Sequence, residues 1–178
     1  MTNVNDTAFL TALADRLRAE LGVRHVYLTG MSNGGEMCYQ MAYRAPKTFD
    51  AIASVSGLTL TCLADGGAPT GGVPFMEVHG TADQVSFWNG DLKNDNKYWG
   101  AYLSVPDAAE RIVVANGGDK VRFDERRLTK AVTCRTRKGK CETRLYRVEK
   151  GQHGWAFDFF DSAKEILAFF EAATVSRR

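Results

Sequence analysis

The sequence predicts an α/β fold, a mostly parallel sheet flanked by helices, and three observations predict it. Short apolar β-rich runs alternate with stretches of helical periodicity. The run His25-Val26-Tyr27-Leu28-Thr29 passes through Gly30-Met31-Ser32-Asn33-Gly34 directly into a helical pattern. A third apolar run, Pro74-Phe75-Met76-Glu77-Val78-His79, ends in Gly80-Thr81-Ala82-Asp83. At 178 residues, with 44% hydrophobic and 11% aromatic residues, the chain reads as one domain, 1–178, able to bury a substantial core. It carries no repeat, low-complexity segment or linker.

The first element places Leu10, Leu13, Leu17 and Leu21 at helical spacing, with Asn5 or Asp6 as cap and Gly22 as stop, and predicts an amphipathic helix of about four turns. Val26 to Thr29 follows as a strand. The next helix runs from about Asn33 to Ala45 and ends before Pro46, because the residue preceding proline is pushed out of the helical region. Ala51 to Ser56 is a second short apolar strand, and a glycine-rich loop from Gly66 to Gly72 leads to the third. From Gln84 to Leu103 the sequence is loop-like yet carries Phe87, Trp88, Tyr98, Trp99 and Tyr102, longer than connections in compact domains usually run. These rings either pack the loop onto the sheet or form a lid or substrate wall.

Ser104, Pro106 and Glu110 open a helix carrying Ala109, Ile112 and Val113, closed by Gly117-Gly118. A hairpin is expected over 121–133 and 142–148. Its Arg126, Arg127, Lys130, Arg135, Arg137, Lys138 and Lys140 read as a solvated basic face. The final helix, about Ser162 to Ala173, is expected to bury Ile166, Leu167, Phe169 and Phe170.

Composition excludes some functions. A net charge of +2 gives no whole-chain reason to expect nucleic acid or an anionic membrane as partner. No apolar run approaches the roughly 18 residues that span a bilayer. Met1-Thr2-Asn3-Val4-Asn5-Asp6 has neither a basic nor an apolar signal region. Of the four cysteines, Cys38 reads as a small buried thiol beside Met37 and Met41. Cys134 and Cys141 flank a polar turn, where a bridge between them is one of two open possibilities.

Gly30-Met31-Ser32-Asn33-Gly34 reads as a nucleophile elbow. There a strained turn holds a serine hydroxyl exposed beside a base, with backbone N–H groups free to receive an oxyanion. Three histidines compete as that base. His25 begins the strand whose far end delivers Ser32 and is excluded, lying about 20 Å away at roughly 3.3 Å per residue. His79 is held within a strand and its turn, and reads as a buried histidine bonded to backbone. His153, in Gly151-Gln152-His153-Gly154-Trp155, sits in a loop between the last strand and the last helix, where a mobile base belongs. Asp83 follows a strand end, which Asp91, Asp95 and Asp158 do not. Ser32, Asp83 and His153 then fall in the chain order of α/β-hydrolases. The Asn33 backbone N–H is the oxyanion donor, and no metal or cofactor is called for. Phe87, Trp88, Trp99 and Trp155 are candidate walls of the substrate site.

These motifs, with the preceding helix, resemble the polyhydroxybutyrate depolymerase-type esterases, a family that includes feruloyl and acetylxylan esterases. The resemblance runs from about Val4 to the final helix. It implies an α/β-hydrolase fold and the triad Ser32, Asp83 and His153. It also implies short-chain, polyester, or feruloyl or acetyl carbohydrate esters as substrate, and an extracellular or periplasmic setting. Peptidase or thioesterase chemistry uses the same triad, and a catalytically silent binding or assembly subunit is the alternative of another class. One departure is clear: 31 residues precede Ser32, room for one helix and one strand. The family has several strands there and a His-Gly loop supplying a second oxyanion N–H. The chain is therefore expected to be the C-terminal portion of the fold, with Val26 to Leu28 as an exposed edge open to self-association.

Overall fold

The computed structural model describes residues 4–119, 123–124, 131–136, 141–158 and 160–175. Its elements are α1 (Asp6–Leu21), β1 (Tyr27–Met31), α2 (Asn33–Arg44), β2 (Ala51–Val55), α3 (Thr61–Asp65) and β3 (Phe75–Gly80). After these come α4 (Val105–Ala115), β4 (Phe123–Asp124), β5 (Ala131–Thr136), β6 (Thr143–Val148) and α5 (Ser162–Val175). The sheet order is β1-β2-β3-β6-β5-β4. β1, β2, β3 and β6 are parallel neighbours, and β4 and β5 extend the sheet antiparallel beyond β6.

Strands β2 and β3 are buried along their whole length, as strands covered on both faces must be. Alternation sorts their side chains. Ile52 and Phe75 face α1, α2 and α4, packing with Ala14, Cys38, Tyr39, Met41, Ala108 and Ile112. Ala51, Ala53, Val55, Met76 and Val78 face α5 and meet Ile166, Phe169, Phe170 and Ala173. The helical leucines of α1 depart from the expected burial: only Ala14 is buried, while Leu13 is 38% and Leu21 67% exposed. Leu167 in α5 is likewise exposed. α1 packs on the α2 side of the sheet and α5 on the opposite face, and each leaves part of its apolar stripe uncovered.

β1 is the first strand of the sheet and pairs, among the described residues, with β2 alone. Tyr27 and Leu28 are half-buried there. No helix of the described residues is long and apolar enough to cross a membrane. β5 reaches Thr136, into the expected turn, and pairs Cys134 with Leu145. The Cys134 side chain, and the basic residues Arg126, Arg127, Lys130, Arg137, Lys138 and Lys140, lie outside what is described.

One polar knot ties α1 to the start of the sheet. Asp50 Oδ2 accepts from the Val26 N–H at 3.0 Å and from Arg18 Nη2 at 3.2 Å, with His25 Nδ1 at 3.3 Å from Oδ1. Burial pushes the Asp50 carboxyl up, but the Val26 N–H, His25 and Arg18 outweigh it and hold it below the usual carboxylate range. A carboxyl held low in the folded state contributes stability above its unfolded range, and that stability is lost as pH falls through the folded value. Asp50→Asn is therefore expected to cost about 1–3 kcal/mol at neutral pH, with the deficit shrinking below about pH 4. Urea midpoints of both proteins across that range check this, and a deficit independent of pH would refute it.

Candidate active site

The carboxyl ends of the parallel strands carry the candidate residues. β1 delivers Ser32, which caps α2 with φ 55 and ψ −119, a left-handed backbone that a non-glycine residue adopts only under strain. It is held there by its own N–H to Val55 O at 2.9 Å and by the Glu36 N–H to Ser32 O at 2.9 Å. Gly30 permits the approach of strand to helix. A Cβ on it would lie 2.5 Å from the Gly34 carbonyl carbon and oxygen. A Cβ on Gly34 would meet nothing within 4 Å, so the tight partner of the elbow's first glycine is the Gly34 backbone, not its missing side chain. Asn33, exposed, begins α2, and the first N–H groups of a helix have no intrahelical acceptor.

Asp83 lies three residues beyond β3 and is buried. Its Oδ1 accepts from the Val85 and Ser86 N–H groups, each at 2.8 Å. Its Oδ2 is 2.8 Å from His153 Nδ1. His153, half-buried in the loop after β6, has its other ring nitrogen left for a proton acceptor or donor in the site. Among the described residues no hydrogen bond joins it to Ser32. The His153 loop also reaches β2, where Ser56 Oγ donates to Gly154 O at 3.5 Å. Asp83 and His153 are thus brought together, with Ser32 on the same edge of the sheet, two strands from β3.

The other candidates stand elsewhere. His25 is engaged with Asp50 at the opposite, amino end of β1. His79 is fully buried between Glu77 Oε1 at 2.9 Å and Ser86 O at 2.8 Å. Asp91 closes its own loop, accepting from the Asp95 N–H at 2.8 Å and the Asn96 N–H at 2.9 Å. Those backbone donors, Asn96 foremost, hold its carboxyl below the usual range. Asp95 and Asp158 are exposed.

The aromatic loop is pinned by Tyr102, buried, whose hydroxyl accepts from the Phe87 N–H at 3.1 Å. Trp88 rests against Val105, Ala109 and Leu145 and meets His79 edge-on at 6.1 Å. Trp99 and Trp155 are each 37% exposed. None of the three lines the cleft of about 740 Å³ that borders the elbow at Asn33. That cleft is walled by Met37, Leu58, Leu60 and Leu63 with Gln40 and Glu36, and burial pushes the Glu36 carboxyl up. Sequence reasoning missed Glu77 and Ser86 as partners of the site. The available signal was a carboxylate in the middle of an otherwise apolar buried strand, two residues before His79 and so on the same face.

Comparison with solved structures decides the fold. The structure of esterase PE8 matches 91% of this chain and 59% of its own with a TM-score of 0.54 at 21% identity. That of Arabidopsis thaliana SOBER1 matches 94% and 63% with a TM-score of 0.54 at 17% identity. The chain has the α/β-hydrolase fold. Its sequence relatives are esterases by name. A protein of Nocardia uniformis subsp. tsuyamanensis named as esterase NocK is 30% identical over 131 residues, 68% of this chain and 38% of the relative. A protein of Aspergillus niger named as feruloyl esterase C is 27% identical over 121 residues, 67% of this chain and 44% of the relative. This α/β-hydrolase chain therefore spans about two fifths of the length of the curated relatives it matches. No protein-family model matches it.

The α/β-hydrolase edge is packed tightly where β3 meets the His153 loop: a Cβ on Gly80 would sit 2.2 Å from Gly151 O. Gly80→Ala is expected to push that loop away from Asp83 and to destabilise the chain by about 1–3 kcal/mol, as overpacking does. Chemical denaturation measures the loss, and an unchanged midpoint would show that the two turns separate freely.

Proposed function

We propose that this chain carries the site of a serine ester hydrolase. Ser32 is the nucleophile, His153 the base, Asp83 the carboxylate that orients it and Asn33 N–H a donor to the oxyanion. The observation that carries the proposal is the left-handed Ser32, φ 55, at the same sheet edge as the 2.8 Å bond between Asp83 and His153. Asp83 fixes the His153 tautomer with Nδ1 toward the carboxylate, leaving Nε2 to take the Ser32 proton. The Ser32 oxygen bonds to the ester carbonyl carbon, the alcohol leaves with the proton from His153, and water then releases the acid and restores Ser32.

The substrate classes within the proposal are short-chain esters, polyesters, and feruloyl or acetyl esters of carbohydrates. Support for the ester bond comes from the names of the relatives. Support for the polyhydroxybutyrate depolymerase-type group comes from the residues Gly30 to Gly35, His79 to Asp83 and Gly151 to Trp155. The cleft beside Asn33 combines Met37, Leu58, Leu60 and Leu63 with Asp6, Glu36, Gln40 and Arg44, a lining that suits an ester with both apolar and polar parts.

A second reading has its own observation. β1 is unpaired on its outer side among the described residues, and the relatives are more than twice as long as the matched region. A silent or assembly-dependent chain, self-associating or pairing through Val26 to Leu28, follows from that edge.

A fluorophosphonate probe is expected to label Ser32, with mass spectrometry placing the adduct. Ser32→Ala is expected to lower turnover of a chromogenic short-chain ester about 10⁴-fold or more, with His153→Ala and Asp83→Ala adding little to it. A label on another residue would overturn the assignment of Ser32. A folded protein with neither label nor turnover would favour the silent reading.

A further inference from the structure

Behind Asp83 lies a second carboxylate–imidazole pair that the proposed reaction does not use. Glu77 and His79 face the α2 and α4 side of β3 and are both 0% exposed. Glu77 Oε1 is 2.9 Å from His79 Nδ1. His79 Nε2 is 2.8 Å from Ser86 O and 3.5 Å from Asp83 Oδ2. A backbone carbonyl only accepts, so Nε2 carries a proton. Nδ1 and Glu77 share the next one.

Ser86 is therefore gripped at both ends. Its N–H donates to Asp83 Oδ1 at 2.8 Å, and its carbonyl accepts from His79. That grip leaves Asp83 Oδ2 aimed at His153. We propose that Glu77 and His79 form a positioning pair for Asp83, in which Glu77 sets the His79 tautomer, and His79 clamps Ser86 and with it holds the Asp83 carboxylate opposite His153. The proposal rests on the serine-hydrolase reading for its kinetic consequences but not for its geometry.

The electrostatics agree with the geometry. Burial alone would push His79 down, but the Glu77 hydrogen bond and charge, the Ser86 carbonyl and Asp83 together hold it above the usual imidazole value. The Nε2 edge of His79 faces Asp83 Oδ2 at 3.5 Å. The Tyr39, Cys38 and Tyr102 groups around the pair keep their protons. From α2, the Tyr39 hydroxyl and Cys38 thiol stand near Glu77, and burial first, then the Glu77 charge, pushes both up. From the aromatic loop, the Tyr102 hydroxyl is raised by burial foremost. His153 approaches from the loop after β6, and the Trp88 ring closes the remaining side.

Glu77→Gln keeps a hydrogen-bonding side chain on Nδ1 but removes the charge that holds the second proton on His79. In that variant kcat is expected to fall about 10- to 100-fold, the scale of a misaligned catalytic group, with KM within about twofold. The acid limb of the pH profile is expected to move downward by about half a pH unit or more, because an Asp83 carboxylate held less firmly opposite His153 stabilises its imidazolium less. The His153 Nδ1–H proton resonance, read without substrate, is expected to shift in the same variant. His79→Gln should lose the Ser86 clamp as well and fall further.

Unchanged kcat, pH profile and His153 resonance in folded Glu77→Gln would overturn the proposal. So would a loss of activity that tracks only the loss of folded protein. Nitrogen-15 spectra of histidine-labelled wild-type chain need no variant: His79 must show a protonated Nε2, and a bare Nε2 overturns the proposal. A shifted His153 resonance in a chain without esterase turnover would support the positioning pair while removing the ester reading.

Discussion

Everything at the site depends on one row of backbone hydrogen bonds across the carboxyl end of the parallel strands. The Ser32 N–H reaches Val55 O, the Ser56 N–H reaches Val78 O, and the Thr81 N–H reaches Val148 O, each at 2.9 Å. These bonds continue the parallel ladder one residue beyond the named strands. They bring the turns after β1, β2, β3 and β6 to a common level. The chain leaves the sheet after β1, β2 and β6 through left-handed backbone, with φ 55 at Ser32, φ 49 at Ser56 and φ 59 at Lys150, while the turn after β3 needs none. Strain of this kind persists only where the surrounding contacts over-determine it. The ladder on one side and the first turn of α2 on the other supply them at Ser32.

The same alignment creates a polar interior that must be satisfied. Glu77, His79 and Asp83 are placed by β3 inside a shell of Tyr39, Trp88 and Tyr102, and a buried charge is tolerated only when paired and hydrogen-bonded. Asp83 meets that demand with two backbone donors and two imidazoles, His79 with a carboxylate and a carbonyl. That pairing holds the turn after β3 against the half-buried His153 loop.

Much of this was legible in the residues themselves. The 3.6-residue and two-residue periods placed α1, α2, α4, α5 and the parallel strands to within a few positions, because amphipathic segments in a layered fold have one way to bury their apolar side. The chain order of Ser32, Asp83 and His153, each just past a strand, pointed to one sheet edge. α3 was not foreseen, being five residues long and too short to show a period. The exposure of Leu13, Leu21 and Leu167 was not foreseen either, since a helix's own pattern says which face is apolar but not how much lies against it.

By itself, the sequence determined the order and type of the main elements, the glycine at the elbow and the residue types capable of the chemistry, all of which depend on local sterics and on side-chain identity. Only the tertiary structure decided which partner each group found: His25 with Asp50, His79 with Glu77 and Ser86, Asp83 with His153, Trp88 with the α4 face. The reason is that those partners come from strands and loops up to 70 residues apart in the chain, and their distances are set by strand register and layer packing rather than by any local preference.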